Sequence, residues 1–332
     1  MPNFIMTEGS ARFKTLYGDY NAPIVSCIED VAQACEEESI VDKIFRQQSS
    51  AHWAEGYSST TAMDPWEPVG ENGAHPQNGF VEGYDKTLQN ETWKSQFAIS
   101  RELVDDCQIG KMQQRATKFT KAYYRTREEF GASLLGGAIA GDSTVTRNGR
   151  TFDVLGADGL TLFNTAHVPK VSGANQTNKY ADAFSQGALF KGITAYQNLC
   201  GENGELLSLC PDTILIPNDA ALKEAVMACL ASFQKPGTGD NDINPLLGSL
   251  DIIVWPYLNK YCTGATTPWF LMDRSFNDMA DGLVMQNRVP LEITNKEGDN
   301  DESLWNGYAR FTGGFVDWRA IMGFGLTGGS SL

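Results

Sequence analysis

The chain has 332 residues, of which 42% are hydrophobic and 20% are charged, and a formal net charge of -15. This composition is typical of a folded protein with a sizeable core and excludes wholesale disorder. The acidic balance argues against a nucleic-acid reader, because duplex affinity comes mainly from basic side chains against phosphates. A protein that encloses nucleic acid without binding it tightly remains compatible with this charge. No signal peptide and no apolar run long enough for a membrane span occurs, so we expect synthesis and folding in the cytosol.

The N-terminal fifty residues are predicted to form an arm. Residues 1–21 carry isolated apolar side chains and read as extended chain. Residues 23–35 fit a short helix that begins at Pro23, and residues 40–45 form a second helical patch. Between them lies the acidic run Glu36, Glu37 and Glu38.

Residues 53–79 are polar and rich in glycine and proline, which predicts a loop without regular elements. Two strands follow, at residues 80–89 and 91–99. In the second strand Trp93, Phe97 and Ile99 alternate with more polar positions. A two-stranded ribbon is marginal in water by itself, so these aromatic residues predict a second surface, a neighbouring copy of the chain, that covers them.

A long amphipathic helix is predicted at residues 111–135, after a short helical stretch capped by Ser100. Gly110 is expected to break the helix and residues 136–137, both glycine, to end it. One side of this helix is basic. Two interpretations are open: a solvated or ion-pairing face that meets the acidic residues 36–38 of a neighbour, or a weak, sequence-independent contact with nucleic acid. The basic residues are Lys111, Arg115, Lys118 and Arg125.

The remainder of the chain alternates helices and strands. Residues 141–184 are rich in Gly, Asn and Thr, with a strand-like piece at 160–163. Ser185 and Asn218 are expected to cap two helices. Further strands are predicted at 213–217, 251–258, 269–272, 283–294, 304–311 and 315–326. The predicted class is α+β, without a linker that would separate independent domains.

No catalytic or metal-binding pattern emerges. His52, His75 and His167 lie far apart in loop-like sequence and are expected to be ordinary surface or hydrogen-bonded residues. Residues 240–244 begin like a calcium loop, but Pro245 stands where the sharp turn needs glycine. We therefore predict a protein that is not an enzyme, with no catalytic residue, cofactor or metal ligand.

Two alternatives of other classes remain open. One is an acidic hydrolase that uses carboxylates near residues 240–244 or 298–302. The other is a carbohydrate-binding module that uses Trp53, Tyr57 and Trp66.

Seven cysteines occur without a C-x-x-C pair, which argues against metal clusters and thioredoxin-like chemistry. Reduced, partly buried thiols are expected in the cytosol, and disulfides between subunits after release into oxidising surroundings are the alternative. The cysteines are residues 27, 35, 107, 200, 210, 229 and 262.

In its order of elements the chain resembles the major capsid proteins of tailed bacteriophages with the Hong Kong 97-type fold. Four stretches carry the likeness. GFVEGYDKTLQNETWKSQFAISRELVDD (79–106) looks like the return of the extended E-loop into the spine helix, and DGLTLFNTAH (158–167) is similar to a segment of the Mu-like major head subunit branch. PDTILIPNDAALKEAV (211–226) and WFLMDRSFNDMADGLVMQNRVPLEI (269–293) look like axial-domain elements and the return to the peripheral domain.

The resemblance implies a structural subunit that assembles into an icosahedral shell of pentamers and hexamers around double-stranded DNA, with an encapsulin-type nanocompartment shell as the alternative. It divides the chain into an N-terminal arm (1–50), an extended E-loop hairpin (51–99), a peripheral domain with the spine helix (100–189) and return strands (283–312), and an axial domain (190–282 and 313–332). The implied inter-subunit contacts are Trp53, Trp66, Phe80, Trp93 and Phe97.

The resemblance also implies partners and a location. The expected partners are a separate scaffolding protein, a portal and a decoration or cement protein. The expected location is the virion, after assembly in the host cytoplasm. Some relatives cross-link subunits through a lysine near the loop tip, but residues 63–79 contain none, and Lys86 and Lys94 lie farther along the strands. Covalent cross-linking is therefore not expected.

Overall fold

The computed structural model describes residues 4–7, 11–60, 66–75, 79, 81–106, 108–232, 244–262, 267–300 and 302–332, with the backbone alone at 4–7, 11–22 and 60. The chain divides into two compact units. Unit 1 comprises Met1–Glu55, Leu88–Gly131 and Met285–Gly313, and unit 2 comprises Gly56–Thr87, Ala132–Val284 and Gly314–Leu332.

Within these described ranges the helices and strands follow in mixed order, which confirms the predicted α+β class. The helices are α1 (Ala11–Glu38), α2 (Val41–Ile44), α3 (Arg101–Asp105), α4 (Ile109–Ala140), α5 (Gln186–Gln197), α6 (Ala220–Ala231) and α7 (Arg274–Ala280). The strands are β1 (Phe4–Thr7), β2 (Arg46–Ser49), β3 (Ala54–Thr60), β4 (Glu82–Gln89), β5 (Glu91–Ile99), β6 (Thr144–Arg147), β7 (Arg150–Asp153), β8 (Thr213–Pro217), β9 (Asp251–Trp255), β10 (Trp269–Met272), β11 (Leu283–Glu297), β12 (Ser303–Phe315) and β13 (Ile321–Phe324). None of the helices in the described part of the chain is both long enough and apolar enough to cross a bilayer.

The N-terminal region is more regular than the sequence suggests. Helix α1 begins at Ala11 and runs through Pro23, so the prediction of extended chain up to residue 21 is wrong for residues 11–21. A proline inside a helix removes one backbone hydrogen bond, but packing can offset that loss. Ile24 and Ile28 supply such packing, since both are buried in the core of unit 1. Strand β1 pairs in parallel with β11.

The sheet of unit 1 has the strand order β1-β11-β12-β5, with β2 also paired to β11. Strands β5 and β12 pair antiparallel over nine residues, from Glu91 opposite Phe311 to Ile99 opposite Ser303. The two strands predicted at 80–89 and 91–99 exist, but they do not form a ribbon with each other, because β4 pairs with β3. An alternating pattern identifies the buried face of a strand and not its partner.

Two long helices pack side by side in unit 1. The Cys27 sulfur lies 3.2 Å from the Thr117 hydroxyl, and the Tyr124 hydroxyl donates to a Glu36 carboxylate oxygen at 2.9 Å. Residue numbers rise together along these contacts, so α1 runs alongside α4 in the same direction. The core beneath is apolar and includes Ile99, Met112, Ala116, Ile293 and Trp305.

Helix α4 is longer at both ends than predicted, because its glycines do not interrupt it. A Cβ atom on Gly136 would lie 2.4 Å from the Cβ of Tyr261, and one on Gly137 would lie 2.3 Å from a methyl group of Val145. No side chain fits there. These glycines let Tyr261 and Val145 pack directly against the backbone of α4 within unit 2. That packing outweighs the cost of glycine in a helix, about 1 kcal/mol for each residue.

Unit 2 is built around a four-stranded sheet in the order β13-β10-β8-β9, in which β8 and β9 are parallel and β10 is antiparallel to its two neighbours. The strands predicted at 213–217 and 269–272 are confirmed to the residue. The Ser185 cap of α5 is confirmed, whereas Asp219 caps α6 in place of Asn218.

Three further boundaries in unit 2 differ from the prediction. Strand β9 ends at Trp255 and a 3-10 helix follows, and a second 3-10 turn at Trp318–Ala320 interrupts the strand predicted at 315–326. Residues 160–163 form bends and a single isolated bridge, from Thr161 to Leu155, not a strand. Instead β6 and β7 form a hairpin across Asn148 and Gly149, which both have positive φ. Such two-residue turns favour Asn-Gly.

Candidate assembly surfaces

Trp93 lies against its own chain. Its ring stacks on Phe311 with centroids 4.8 Å apart, and its indole nitrogen donates to the Phe311 carbonyl oxygen at 3.1 Å. Phe130 meets the same ring edge-on at 5.4 Å. The premise that strand β5 has no core of its own is therefore wrong, because β5 pairs with β12 and packs within unit 1. No local pattern in the sequence indicates that pairing.

Phe97 occupies a similar place on β5. Its ring lies 5.9 Å from that of Trp305 and 4.9 Å from that of Phe119. Both contacts belong to unit 1, where Trp305 is fully buried. A neighbouring copy is not needed to cover Phe97, and any contact of its remaining exposed edge with such a copy stays a prediction.

Two other tryptophans are open to solvent. Trp53 is 62% exposed and Trp66 is 92% exposed. Large aromatic residues are usually withdrawn from water, so these two stay predicted inter-subunit contacts. Phe80 lies outside the described residues. Tyr57 is buried, which removes one of the three aromatic residues of the alternative carbohydrate platform.

Strand β4 is held within unit 2 by polar contacts. The Lys86 ammonium group donates to the Leu155 carbonyl oxygen and lies 3.2 Å from an Asp153 carboxylate oxygen. The Tyr84 hydroxyl donates to the Val168 carbonyl oxygen at 3.1 Å. Burial lowers the pKa of Lys86 and the Asp153 carboxylate offsets only part of that effect.

Because of Lys86, the free energy of unfolding should increase with pH in the alkaline range. Between its lowered folded-state pKa and the ordinary pKa of lysine, the unfolded chain binds more protons than the folded chain, so the free energy of unfolding increases with pH. The Lys86→Met variant should lose this rise, as measured by urea unfolding between about pH 8 and 10.5.

The matched control is Lys94→Met, at an exposed lysine on β5, which should retain the alkaline rise. An undiminished rise in Lys86→Met would show that another group is responsible.

The basic face of helix α4 is exposed as the sequence predicts. Lys111, Arg115, Lys118 and Arg125 all lie in solvent. At about 100° per residue, their spacing of four, three and seven places them along one stripe of the helix. Arg115 donates to the Ala98 carbonyl oxygen at 2.7 Å. What the face meets, a neighbour or nucleic acid, stays a prediction.

A buried polar cluster in unit 2 was not foreseen. His167 is 1% exposed, and its Nδ1 lies 2.6 Å from an Asp158 carboxylate oxygen. Its Nε2 lies 3.2 Å from the amide oxygen of Asn178, and its ring stacks on Trp318 at 4.1 Å. Asn178 donates to the carbonyl oxygens of residues 162, 318 and 321, so its oxygen must accept. Both imidazole nitrogens thus face oxygen atoms that can accept a hydrogen bond, so the ring is held from both sides.

A second ion pair adjoins this cluster. The Arg319 guanidinium group lies over the Trp318 ring and contacts Glu202 at 2.9 Å and Asp317 at 3.3 Å. Burial opposes its charge, but the two carboxylates outweigh burial and raise the pKa of Arg319. Five of the side chains in the cluster and the ion pair come from the short segments 158–167 and 317–319. The polar residues within DGLTLFNTAH are the available signal in the sequence.

The residues of the alternative hydrolase do not form a site in the described structure. Residues 240–243 lie outside the described residues, and the Asn244 amide donates to the carbonyl oxygens of Cys229 and Ser232. Gly298 and Glu302 close the turn between β11 and β12. Among the described residues, no group of three histidine, cysteine or acidic side chains could hold a metal ion.

The six described cysteines form no disulfide with one another. Burial raises the pKa of the Cys262 thiol to about 11 and also raises that of Cys229. Buried thiols of this kind are poor nucleophiles. Cys210 is exposed, and disulfides between subunits stay a prediction.

Solved structures with similar folds come mainly from phages. A chain from Microbacterium phage Oxtober96 has a TM-score of 0.48 at 11% identity, covering 84% of this chain and 85% of that one. The capsid of Ralstonia phage GP4 has a TM-score of 0.49 at 8% identity, covering 85% and 86%. A virus-like particle from Pyrococcus furiosus has a TM-score of 0.47 at 8% identity, covering 90% and 96%. No curated protein sequence matches the chain.

A family model described as phage capsid protein matches residues 84–322, well over half of the chain. This match, with the mixed helix and sheet architecture, confirms the prediction of a capsid shell subunit with the Hong Kong 97-type fold. The Mu-like branch and the domain boundaries stay predictions. The chain belongs to the phage capsid protein family.

Proposed function

We propose that copies of this capsid subunit assemble in the host cytoplasm into pentamers and hexamers of a closed icosahedral shell, and that the shell encloses double-stranded DNA. The family match over residues 84–322 carries this proposal. The net charge of -15 supports a shell that encloses DNA without binding it tightly, because tight binding of duplex DNA would need a strongly basic surface.

The domain roles follow from the same proposal. Residues 190–282 and 313–332 would form the axial part around the symmetry axes, and residues 100–189 and 283–312 the peripheral part. Strands β3 and β4 pair with each other in unit 2, so the segment that reaches a neighbouring subunit is narrowed to the connection between them, residues 61–81. Exposed Trp66 lies in that connection.

The proposal assigns the chain no catalytic role, and it includes a separate scaffolding protein, a portal and a decoration or cement protein as partners. The test is electron microscopy and nuclease treatment of the purified protein and of phage lysate. Closed particles with nuclease-protected DNA are expected from infected cells. Particles that carry protein cargo without DNA would favour a nanocompartment shell, and a small species on size-exclusion chromatography would contradict assembly altogether.

Deletion of residues 64–79 should leave a folded chain that cannot close particles. The described residues of this segment are exposed and its removal leaves β3 and β4 intact, so the melting temperature should stay near that of the parent. Particle yield, measured by sedimentation, should fall to background. Unfolding of the deletion variant would show instead that the segment belongs to the core of its own chain.

A further inference from the structure

Helix α1 presents an acidic face to solvent. Between Pro23 and Glu38 it contains five carboxylate side chains and no lysine or arginine. Glu36 accepts a hydrogen bond from Tyr124, whereas the other four are exposed. Along the helix these four residues span about 14 Å. They form the acidic strip: Glu29, Asp30, Glu37 and Glu38.

Helix α4 presents a face of the opposite sign on the same unit. Its four basic residues span about 21 Å of the helix. None of them forms an ion pair with a carboxylate in the part of the chain that the structure describes. Burial raises the pKa of the Cys35 thiol of α1, and the nearby Lys121 of α4, also exposed, offsets part of that rise. The basic strip is Lys111, Arg115, Lys118 and Arg125.

The basic strip lies outside the contact between the two helices. Helix α1 contacts α4 through Thr117 and Tyr124, and Ser39, just after α1, donates to Glu128; these three α4 residues face a different side of the helix from the basic strip. The side chains of both strips are exposed to solvent. A surface that carries two complementary patches binds copies of itself head to tail, which is the kind of contact that closes rings.

We infer that the acidic strip of α1 on one subunit binds the basic strip of α4 on the next subunit of the shell. This inference rests on the proposed function and names the contact that assembly would use. A second copy fits better than DNA, because the net charge of -15 makes the chain as a whole repel a phosphate backbone. A neighbouring subunit supplies both charges in pairs.

The test reverses the charges separately and together. Arg115→Glu with Lys118→Glu reverses half of the basic strip and cancels its net charge, and Glu29→Lys with Glu37→Lys does the same to the acidic strip. Each pair should reduce particle yield about tenfold or more, because the substituted residues then meet like charges across the contact and the net attraction between the strips is lost. In the chain that carries all four substitutions the reversed residues again face opposite charges, and its yield should recover toward that of wild type.

Two controls make the result specific. Lys43→Glu with Lys260→Glu changes the net charge as much as the reversed basic strip, at exposed lysines outside both strips, and should assemble normally. Melting curves should show that every variant is folded, since all the changed side chains are exposed. The particle yield of the wild-type chain is measured first. If the wild type forms no particles, the proposed function fails; if it forms particles and the variants do not behave as expected, only this inference fails.

Three outcomes would overturn the inference. The four-fold variant could remain as defective as either pair. Either pair could assemble normally. Or the reversed basic strip could form normal shells that retain less DNA, which would assign the strip to phosphate groups and not to a neighbouring subunit.

Discussion

Asp158→Ala should lower the free energy of unfolding by about 3 kcal/mol. The carboxylate is 4% exposed and lies 2.6 Å from Nδ1 of His167, which is itself 1% exposed. Removal of the carboxylate leaves a buried imidazole nitrogen without its hydrogen-bond partner, and loss of such a partner is among the costly single changes in a protein interior. Urea unfolding of the unassembled chain, followed by tryptophan fluorescence, measures the loss, since Trp318 stacks on His167.

A double-mutant cycle identifies the pair as the cause. Asp158→Ala combined with His167→Ala should cost clearly less than the sum of the two single variants, because the second substitution removes the buried group that the first left without a hydrogen-bond partner. Additive losses would indicate that the two side chains act independently. A loss below about 1 kcal/mol for Asp158→Ala would show that the pair contributes little.

Trp93→Ala should destabilise the isolated chain by about 3 kcal/mol. The substitution removes the stack on Phe311, the edge contact with Phe130 and the hydrogen bond to the Phe311 carbonyl oxygen. The substitution should therefore lower the unfolding midpoint of the unassembled protein, so its effect does not depend on particle formation.

Trp66→Ala is the matched control, since the same residue type is there 92% exposed. Its unfolding midpoint should equal that of wild type, while its particle yield should fall. If instead Trp93→Ala melts normally and only fails to assemble, then Trp93 is an inter-subunit contact after all and its packing against Phe311 adds little stability.

The sequence predicts elements whose pattern is local. Strands β8 and β10 were located to the residue because short apolar runs with clear ends determine them, and the Ser185 cap follows from one side chain. Capsid family membership was predictable from the order of elements and from four stretches of the chain. None of these predictions requires knowledge of the tertiary contacts between distant parts of the chain.

The errors arise where distant residues decide. Strand β5 finds its partner β12 more than 200 positions along the chain, and no periodicity indicates that pairing. Gly136 and Gly137 look like the end of α4 until Tyr261 and Val145 are seen to occupy the space where side chains would lie. The Asn148-Gly149 hairpin is different, because its turn signal was local and could have been found.

The candidate assembly surfaces were predictable only where their pattern is local in the sequence. The basic strip of α4 follows from helical spacing alone, and its exposure agrees with that pattern. The sequence shows the acidic strip of α1 only in part, as the run 36–38, because the predicted helix ends at residue 35 and leaves that run outside it. The cluster around His167 joins two segments that are 150 residues apart in the chain, and hydrogen bonds to Asn178 complete it.

Unit 1 is assembled from three separated stretches of chain, and its sheet has β11 and β12 at the centre. Synthesis proceeds from the N-terminus, so β1 has no sheet partner until residues 291–294 have been made, and β5 has none until residues 303–311 have been made. A nascent polypeptide that lacks these residues therefore cannot display a finished unit 1. We expect subunits to join through unit 1 only after this late stretch of the chain has been translated.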